Sequence, residues 1–176
     1  IKRASEVAPI GSTIIVAPGD YYENNPITLR DFVTVSGQGE LRNTRVFPKN
    51  PTSDFFLMGN ACYLYQITFR GLRAPGWCTR IRPGALVTTS PYVQNCTNFS
   101  PGGTGMKIDG ALHNGGYKSM VANDWTQINS DGIGVHALND GRSELVSVFT
   151  YYCDVGYLAE SGGKIRAIVG NNSYGE

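Results

Sequence analysis

Charge is scarce in this sequence. Asp, Glu, Lys and Arg make up 16% of the 176 residues, against roughly 25% in an average soluble domain. The 15 basic side chains nearly cancel the 14 acidic ones, which excludes a polyanion-binding surface built on bulk charge, so no nucleic-acid partner is expected. The local group Arg70, Arg73, Arg80 and Arg82 reads as a solvated face. Long apolar runs are missing as well. None approaches the ~20 residues of a membrane-spanning helix, and no membrane insertion is expected. The cysteines at 62, 78, 96 and 153 show neither CxxC nor zinc-type spacing. They are too few for a disulfide framework in a chain of this size and read as free thiols. Helical repeats would need apolar residues at i, i+3, i+4 and i+7 over ten or more positions, and those windows are absent.

What is abundant is Gly, at 22, and Tyr, at 10. Short segments of Val, Ile, Tyr, Phe and Thr alternate with Gly, Asn, Asp and Ser, the composition of strands closed by turns. An apolar residue followed by Thr recurs as Val33-Thr34, Ile67-Thr68, Cys96-Thr97, Trp125-Thr126 and Phe149-Thr150, at spacings of 34, 29, 29 and 24 residues. A period in this range marks stacked units that cannot bury their apolar faces singly. The expected fold is all-β: a single-stranded right-handed parallel β-helix over residues 13–176, preceded by a cap or lead-in at 1–12. In that lead-in a short helix would place Ala4, Val7 and Ile10 on one side. About 25 residues per coil predicts roughly seven coils, a rod of about 34 Å at ~4.8 Å per rung.

In this reading Ile67, Cys96, Trp125 and Phe149 form one inward column, and Tyr63, Tyr92, Val121 and Leu145 another. Secondary strands are expected at 85–88, 106–108, 134–137 and 157–158. Asp109-Gly110, Asp131-Gly132 and Asp140-Gly141 are turns in which Gly takes positive φ. Insertions are expected at 43–54 and 72–84, where prolines interrupt the pattern. The chain starts at Ile1 and stops at Glu176 beside a strand-and-turn unit. Open solenoid ends need caps, so the sequence reads as an excerpt of a longer chain or a processed product.

The stretch G-S-T-I-I-V-A-P-G-D-Y-Y-E at 11–23, with the P-I-T-L and V-T-V-S-G-Q-G that follow, resembles the opening coils of pectin-lyase-like parallel β-helices. That resemblance implies three short strands per coil. The runs N-S-D-G-I-G at 129–134, S-V-F-T-Y-Y-C-D-V-G-Y-L at 147–158 and G-N-N-S-Y-G at 170–175 are similar to repeats in β-helical virion structural proteins of T4-like phages infecting cyanobacteria. This second resemblance implies a part of the tail, baseplate or fibre apparatus, and so a virion location.

Residues able to carry chemistry are few. Gln66, Asn95 and Asp124 share one phase and read as a polar column at a coil corner. A glycosidase needs two carboxyls about 5 to 9.5 Å apart. Asp131 and Asp154, on neighbouring coils, are the candidates for it, with Asp124 as a third acid, although all three also fit turn or corner positions. Lys107 with Asp109 is too little for a β-elimination centre. No calcium-loop spacing or nucleophile elbow occurs, so neither a metal nor a cofactor is expected. His113 and His136 read as surface or turn residues. Trp77, Tyr21, Tyr22, Tyr117, Tyr151 and Tyr157 would suit sugar stacking, or packing in the core or between subunits. The leading expectation is a non-enzymatic structural or host-adhesion module. Its partners would be other virion proteins, further copies in a homotrimer, or a host surface glycan. The alternative is a tailspike-type polysaccharide depolymerase.

Overall fold

The structure is a computed structural model and describes residues 1–175; residue 176, the last of the expected solenoid, lies outside the described residues. A six-residue helix α1 (Lys2–Val7) precedes a parallel β-solenoid of about six turns. The first turn is β1 (Thr13–Val16), β2 (Gly19–Glu23) and β3 (Ile27–Thr28), and the second is β4 (Thr34–Gly37), β5 (Thr44–Pro48) and β6 (Phe56–Met58). Next come β7 (Tyr63–Tyr65), β8 (Thr68–Arg70) and β9 (Trp77–Ile81), then β10 (Tyr92–Gln94), β11 (Thr97–Ser100) and β12 (Gly103–Asp109). In the fifth and sixth turns one long strand supplies two sides: β13 (Ser119–Asn129) with β14 (Gly132–Leu138), and β15 (Arg142–Tyr151) with β16 (Val155–Ala159). The strands β17 (Lys164–Ile168) and β18 (Asn171–Ser173) begin a seventh turn. The expected seven coils are therefore six closed ones and two sides of another.

The strands stack into three faces. The first runs β1, β4, β7, β10, β13, β15, β17; the second runs β2, β5, β8, β11, β13, β15, β18; the third runs β3, β6, β9, β12, β14, β16. All these pairings are parallel, so backbone hydrogen bonds run along the rod from one turn to the next. The corner between the first and second faces is a single residue with positive φ, at Gln66 (56°), Asn95 (53°), Asp124 (50°), Ser147 (51°) and Val169 (56°). Its amide donates to the turn above, as Gln66 N to Gln94 O at 3.1 Å and Asn95 N to Asn123 O at 3.0 Å. Asn and Asp suit this place because their short polar side chains tolerate the left-handed region.

Inside the first face Val35, Leu64, Val93, Ala122 and Leu145 form the apolar column. Tyr63 and Tyr92, expected inside, stack on the outside with ring centroids 5.4 Å apart. Leu145 pairs with Ala122, not with Val121. The second inward column also departs from expectation: Trp125 pairs with Val148, and Phe149 with Thr126. The cause is a one-residue change of phase in the sixth turn, which exchanges the two sides of a strand. Thr68 and Thr97 alternate with core residues and are nonetheless buried, Arg42 Nε donating to Thr97 Oγ1 at 3.4 Å, while Thr150 is inside the lumen, paired with Gln127. Thr34 lies on the first face opposite Tyr63, and the second-turn partner of Thr68 is Arg45.

The core changes character along the rod. In the early turns Phe55, Phe56 and Phe69 fill the lumen, and Phe69 meets Trp125 at 5.9 Å. From the fourth turn the position of Phe69 passes to Asn98, Gln127, Thr150 and Asn172. Asn98 Nδ2 donates to Gln127 Oε1 at 3.0 Å, and Thr150 Oγ1 donates to Asn172 Oδ1 at 3.0 Å. Gly105, Gly134 and Gly156 lie across from them on the third face. A Cβ on Gly105 would fall 2.2 Å from Gln127 Oε1, and one on Gly156 would fall 2.4 Å from Asn172 Oδ1. Amides on one wall thus require glycines on the other.

Other expectations shift for local reasons. Segments 43–54 and 72–84 are not simple insertions, since they contain β5 and β9; Pro48 ends β5 and Pro75 precedes β9, both outside the ladder interior. Residues 85–88 form only an isolated bridge, Val87 with Gly116. At Asp131-Gly132 and Asp140-Gly141 the positive φ belongs to the aspartate. Gly132 is there for close approach, a Cβ on it meeting Gly103 O at 2.5 Å. Helix α1 buries Ser5 and leaves Val7 exposed, and Ile10 beyond it is exposed too, reversing the expected apolar side. All four cysteines are free and buried, with Cys96 in the core between Ile67 and Trp125.

Candidate functional site

The outer surface of the third face carries the site. A strand normally turns alternate residues inward, but here two successive ones do so: a Cβ on Gly105 would point at Gln127 in the lumen, and Met106 is wholly buried in the core. Thr104 and Lys107 therefore flank a dip. Register repeats the arrangement, pairing Trp77 with Thr104, Arg80 with Lys107, and Lys107 with His136. The result is a groove of about 450 Å³ along the rod from Trp77 through Lys107 and His136 to Asp131 and Asp154, with Pro75, Ile133 and Val155 on its walls. It crosses four turns, roughly 14 Å at the spacing of neighbouring strands.

At one end the Trp77 ring carries two cations, the Arg80 guanidinium carbon at 4.4 Å and Lys107 Nζ at 4.0 Å from its centroid. A half-desolvated cation over an indole face gains from the ring quadrupole. Arg80 also meets Asp54 at 2.9 Å. Burial pushes the Asp54 carboxyl up, with Arg80 and then Lys107 opposing that shift. Burial draws the Lys107 ammonium down, with Asp109 opposing. Among the described residues Lys107 makes neither an ion pair nor a side-chain hydrogen bond. His136 is 7% exposed, and its Nε2 lies 2.9 Å from Glu160 Oε1, so it is a buried partner of a carboxylate and not the surface histidine expected.

At the other end Asp131 and Asp154 line both the groove and a smaller recess of about 240 Å³ with Ser130, Tyr152 and Tyr174. Each aspartate follows a member of the antiparallel bridge between Ser130 and Cys153, so the two lie on neighbouring turns and lead away from that bridge in opposite directions. The third acid, Asp124, is exposed at the corner between the first and second faces and lines neither cavity. Lys107 and Asp109 form no ion pair: Asp109 Oδ1 accepts from Ala111 N at 3.1 Å and from Asn139 Nδ2 at 2.8 Å, capping a turn.

The aromatic side chains proposed for sugar stacking do not converge. Tyr157 donates its hydroxyl inward to Val148 O at 2.7 Å, Tyr21 packs on the core, Tyr22 stacks on Phe47 at 4.8 Å and Tyr151 on Phe149 at 6.3 Å. Tyr117 lies at a separate depression with Lys118, Asp140 and Arg142. The arginine group is dispersed: Arg70 stands over Phe99 at 4.6 Å and Arg82 pairs with Asp31 at 3.1 Å. His113 Nδ1 meets Tyr117 O at 3.3 Å, and burial draws its pKa down. Among the described residues no cluster of three His, Cys, Asp or Glu is placed to hold a metal ion, and no helix is long and apolar enough to cross a membrane.

The sequence alone does not group Trp77, Arg80, Lys107 and His136, because the prolines within 72–84 read as an insertion. A signal was present. Gly103-x-Gly105 and Gly132-x-Gly134 stand 29 residues apart, as do Lys107 and His136, the same interval as Cys96 to Trp125. No family model, no curated protein and no solved structure matches this chain.

Proposed function

We propose that this chain is a structural and host-adhesion module of a phage virion, a stiff non-enzymatic β-solenoid whose third face touches a host surface glycan. The observation that supports this most is the unbroken parallel ladder on all three faces over about six turns. Backbone hydrogen bonds run from turn to turn, which gives a rod able to hold neighbouring virion proteins apart. The phage setting, in a tail, baseplate or fibre and in the company of further copies as a homotrimer, rests on the similarity of residues 129–134, 147–158 and 170–175 to cyanophage virion repeats. Antibody raised against the chain, applied to intact virions of a phage that encodes it, should label the tail apparatus under the electron microscope. Unlabelled virions that contain no trace of the chain would sink this reading.

The depolymerase reading keeps one observation in its favour, the placing of Asp131 and Asp154 on neighbouring turns at one groove. The two are offset by one residue in register, since Ile133 pairs with Val155, and a glycosidase pair needs its carboxyls about 5 to 9.5 Å apart. Release of reducing ends or unsaturated products from host polysaccharide, abolished by Asp131→Asn or Asp154→Asn, would replace the adhesion reading with an enzymatic one.

A further inference from the structure

We infer that the groove of the third face binds an acidic saccharide, its anionic substituent on Lys107 and its hydroxyls on Asp131 and Asp154. The inference rests on the adhesion reading and adds the ligand class and its direction.

Three cationic or protonatable side chains stand in register on this face, Arg80, Lys107 and His136. Two have carboxylate partners, Asp54 for Arg80 and Glu160 for His136, each at 2.9 Å. Lys107 has no carboxylate within ion-pair distance among the described residues, although Asp109, Glu160 and Asp54 act on it from farther off, and it lines the groove partly withdrawn from water. A desolvated charge without a partner is costly, and an anion from outside relieves that cost. The Trp77 ring holds the ammonium 4.0 Å from its centroid, so little side-chain freedom remains to be lost when a ligand arrives.

The other end has the opposite chemistry. Asp131 and Asp154 are acceptors that suit hydroxyl donors and repel an anion. A ligand with hydroxyls throughout and a carboxylate or sulfate at one point matches this gradient. A nucleic acid, with a phosphate at every unit, meets two carboxylates and a chain of formal net charge +1. Ile133, Val155 and Pro75 supply apolar wall for the carbon face of a sugar ring.

The test is direct binding of wild-type protein to immobilised oligosaccharides in three sets, carboxylated, sulfated and neutral, the neutral set including carboxyl-reduced forms of the first. Binding should be confined to one or both acidic sets and should weaken with salt. Lys107→Gln should lower affinity at least tenfold with its thermal melt unchanged, and Lys107→Arg should restore most of it. The acidic set that binds identifies the anion. Equal binding of neutral and acidic sets, with Lys107→Gln indifferent, overturns the inference and leaves glycan adhesion standing. Binding to no set overturns both, leaving only the structural role.

Discussion

Replacing Gly105 by alanine should destabilise the solenoid, and removing the Gln127 side chain should cancel that cost. A Cβ at position 105 would lie 2.2 Å from Oε1, 2.5 Å from Cδ and 2.5 Å from Nε2 of Gln127, well inside the ~3.5 Å of an ordinary heavy-atom contact. Gln127 is fully buried and accepts from Asn98 Nδ2, so its amide has no solvent to retreat into. Overpacking of this kind costs about 1–3 kcal/mol. With a urea slope of ~2 kcal/mol/M, a cost of ~2 kcal/mol lowers the unfolding midpoint by about 1 M at unchanged slope. Gln127→Ala alone should also destabilise, by about 1–3 kcal/mol, because it leaves the buried Asn98 amide without its acceptor. In that background the new methyl enters vacated space, and Gly105→Ala should cost close to nothing. The four-protein cycle, followed by circular dichroism in urea, should give a coupling energy of about 1–3 kcal/mol. A Gly105→Ala cost that is the same in both backgrounds refutes the claim that the glycine column exists to admit the amide column.

Further outcomes follow from single features. Trp125 is fully buried and touches Phe69, so Trp125→Ala should lower stability by about 3–5 kcal/mol, read as a lower melting temperature; a change under 1 kcal/mol would place the indole outside the core. Burial pushes the Cys62 thiol up to about 11 and Cys96 up to about 12 from 9.0. A raised folded pKa contributes stability fully present below the unfolded value and lost as pH rises through the folded one, so stability should decline between about pH 9 and 12. A flat profile over that window would count against it. For the same reason a disulfide-exchange reagent at pH 8 should leave all four cysteines unmodified in the native protein and react with all four after denaturation. Val169 is β-branched and 74% exposed, at a corner with φ 56°, and Val169→Asn should stabilise by roughly 1 kcal/mol. Slower amide exchange in Lys164–Ile168 and Asn171–Ser173 would show it; faster exchange there would remove strain as the explanation.

The sequence by itself determined the class of fold. Short β-branched and aromatic segments, closed by Gly, Asn and Asp and repeated at 29 residues, have no way to bury their apolar faces except by stacking. The 29-residue interval placed Ile67, Cys96 and Trp125 in one column correctly because those turns are equal in length. It misplaced Phe149, because the fifth turn is shorter and a one-residue slip exchanges inside for outside, while the apolar-Thr pattern looks the same in either phase; in the other column Leu145 is inside as expected, but its neighbour there is Ala122, and Tyr63, Tyr92 and Val121 face out. Asp131 and Asp154 were legible as neighbours from their offsets to the repeated threonines, five residues after Thr126 and four after Thr150. Only the tertiary structure decided which glycines make turns and which make room, since Gly105 and Gly134 are explained by Gln127 and Thr150 across the lumen and by nothing nearby in sequence. It also decided the site. Trp77, Lys107 and His136 come from three separate turns, and what brings them to one groove is the parallel register of β9, β12 and β14. Register across turns of unequal length is set by packing in the lumen, a property of the stacked chain and not of any one segment.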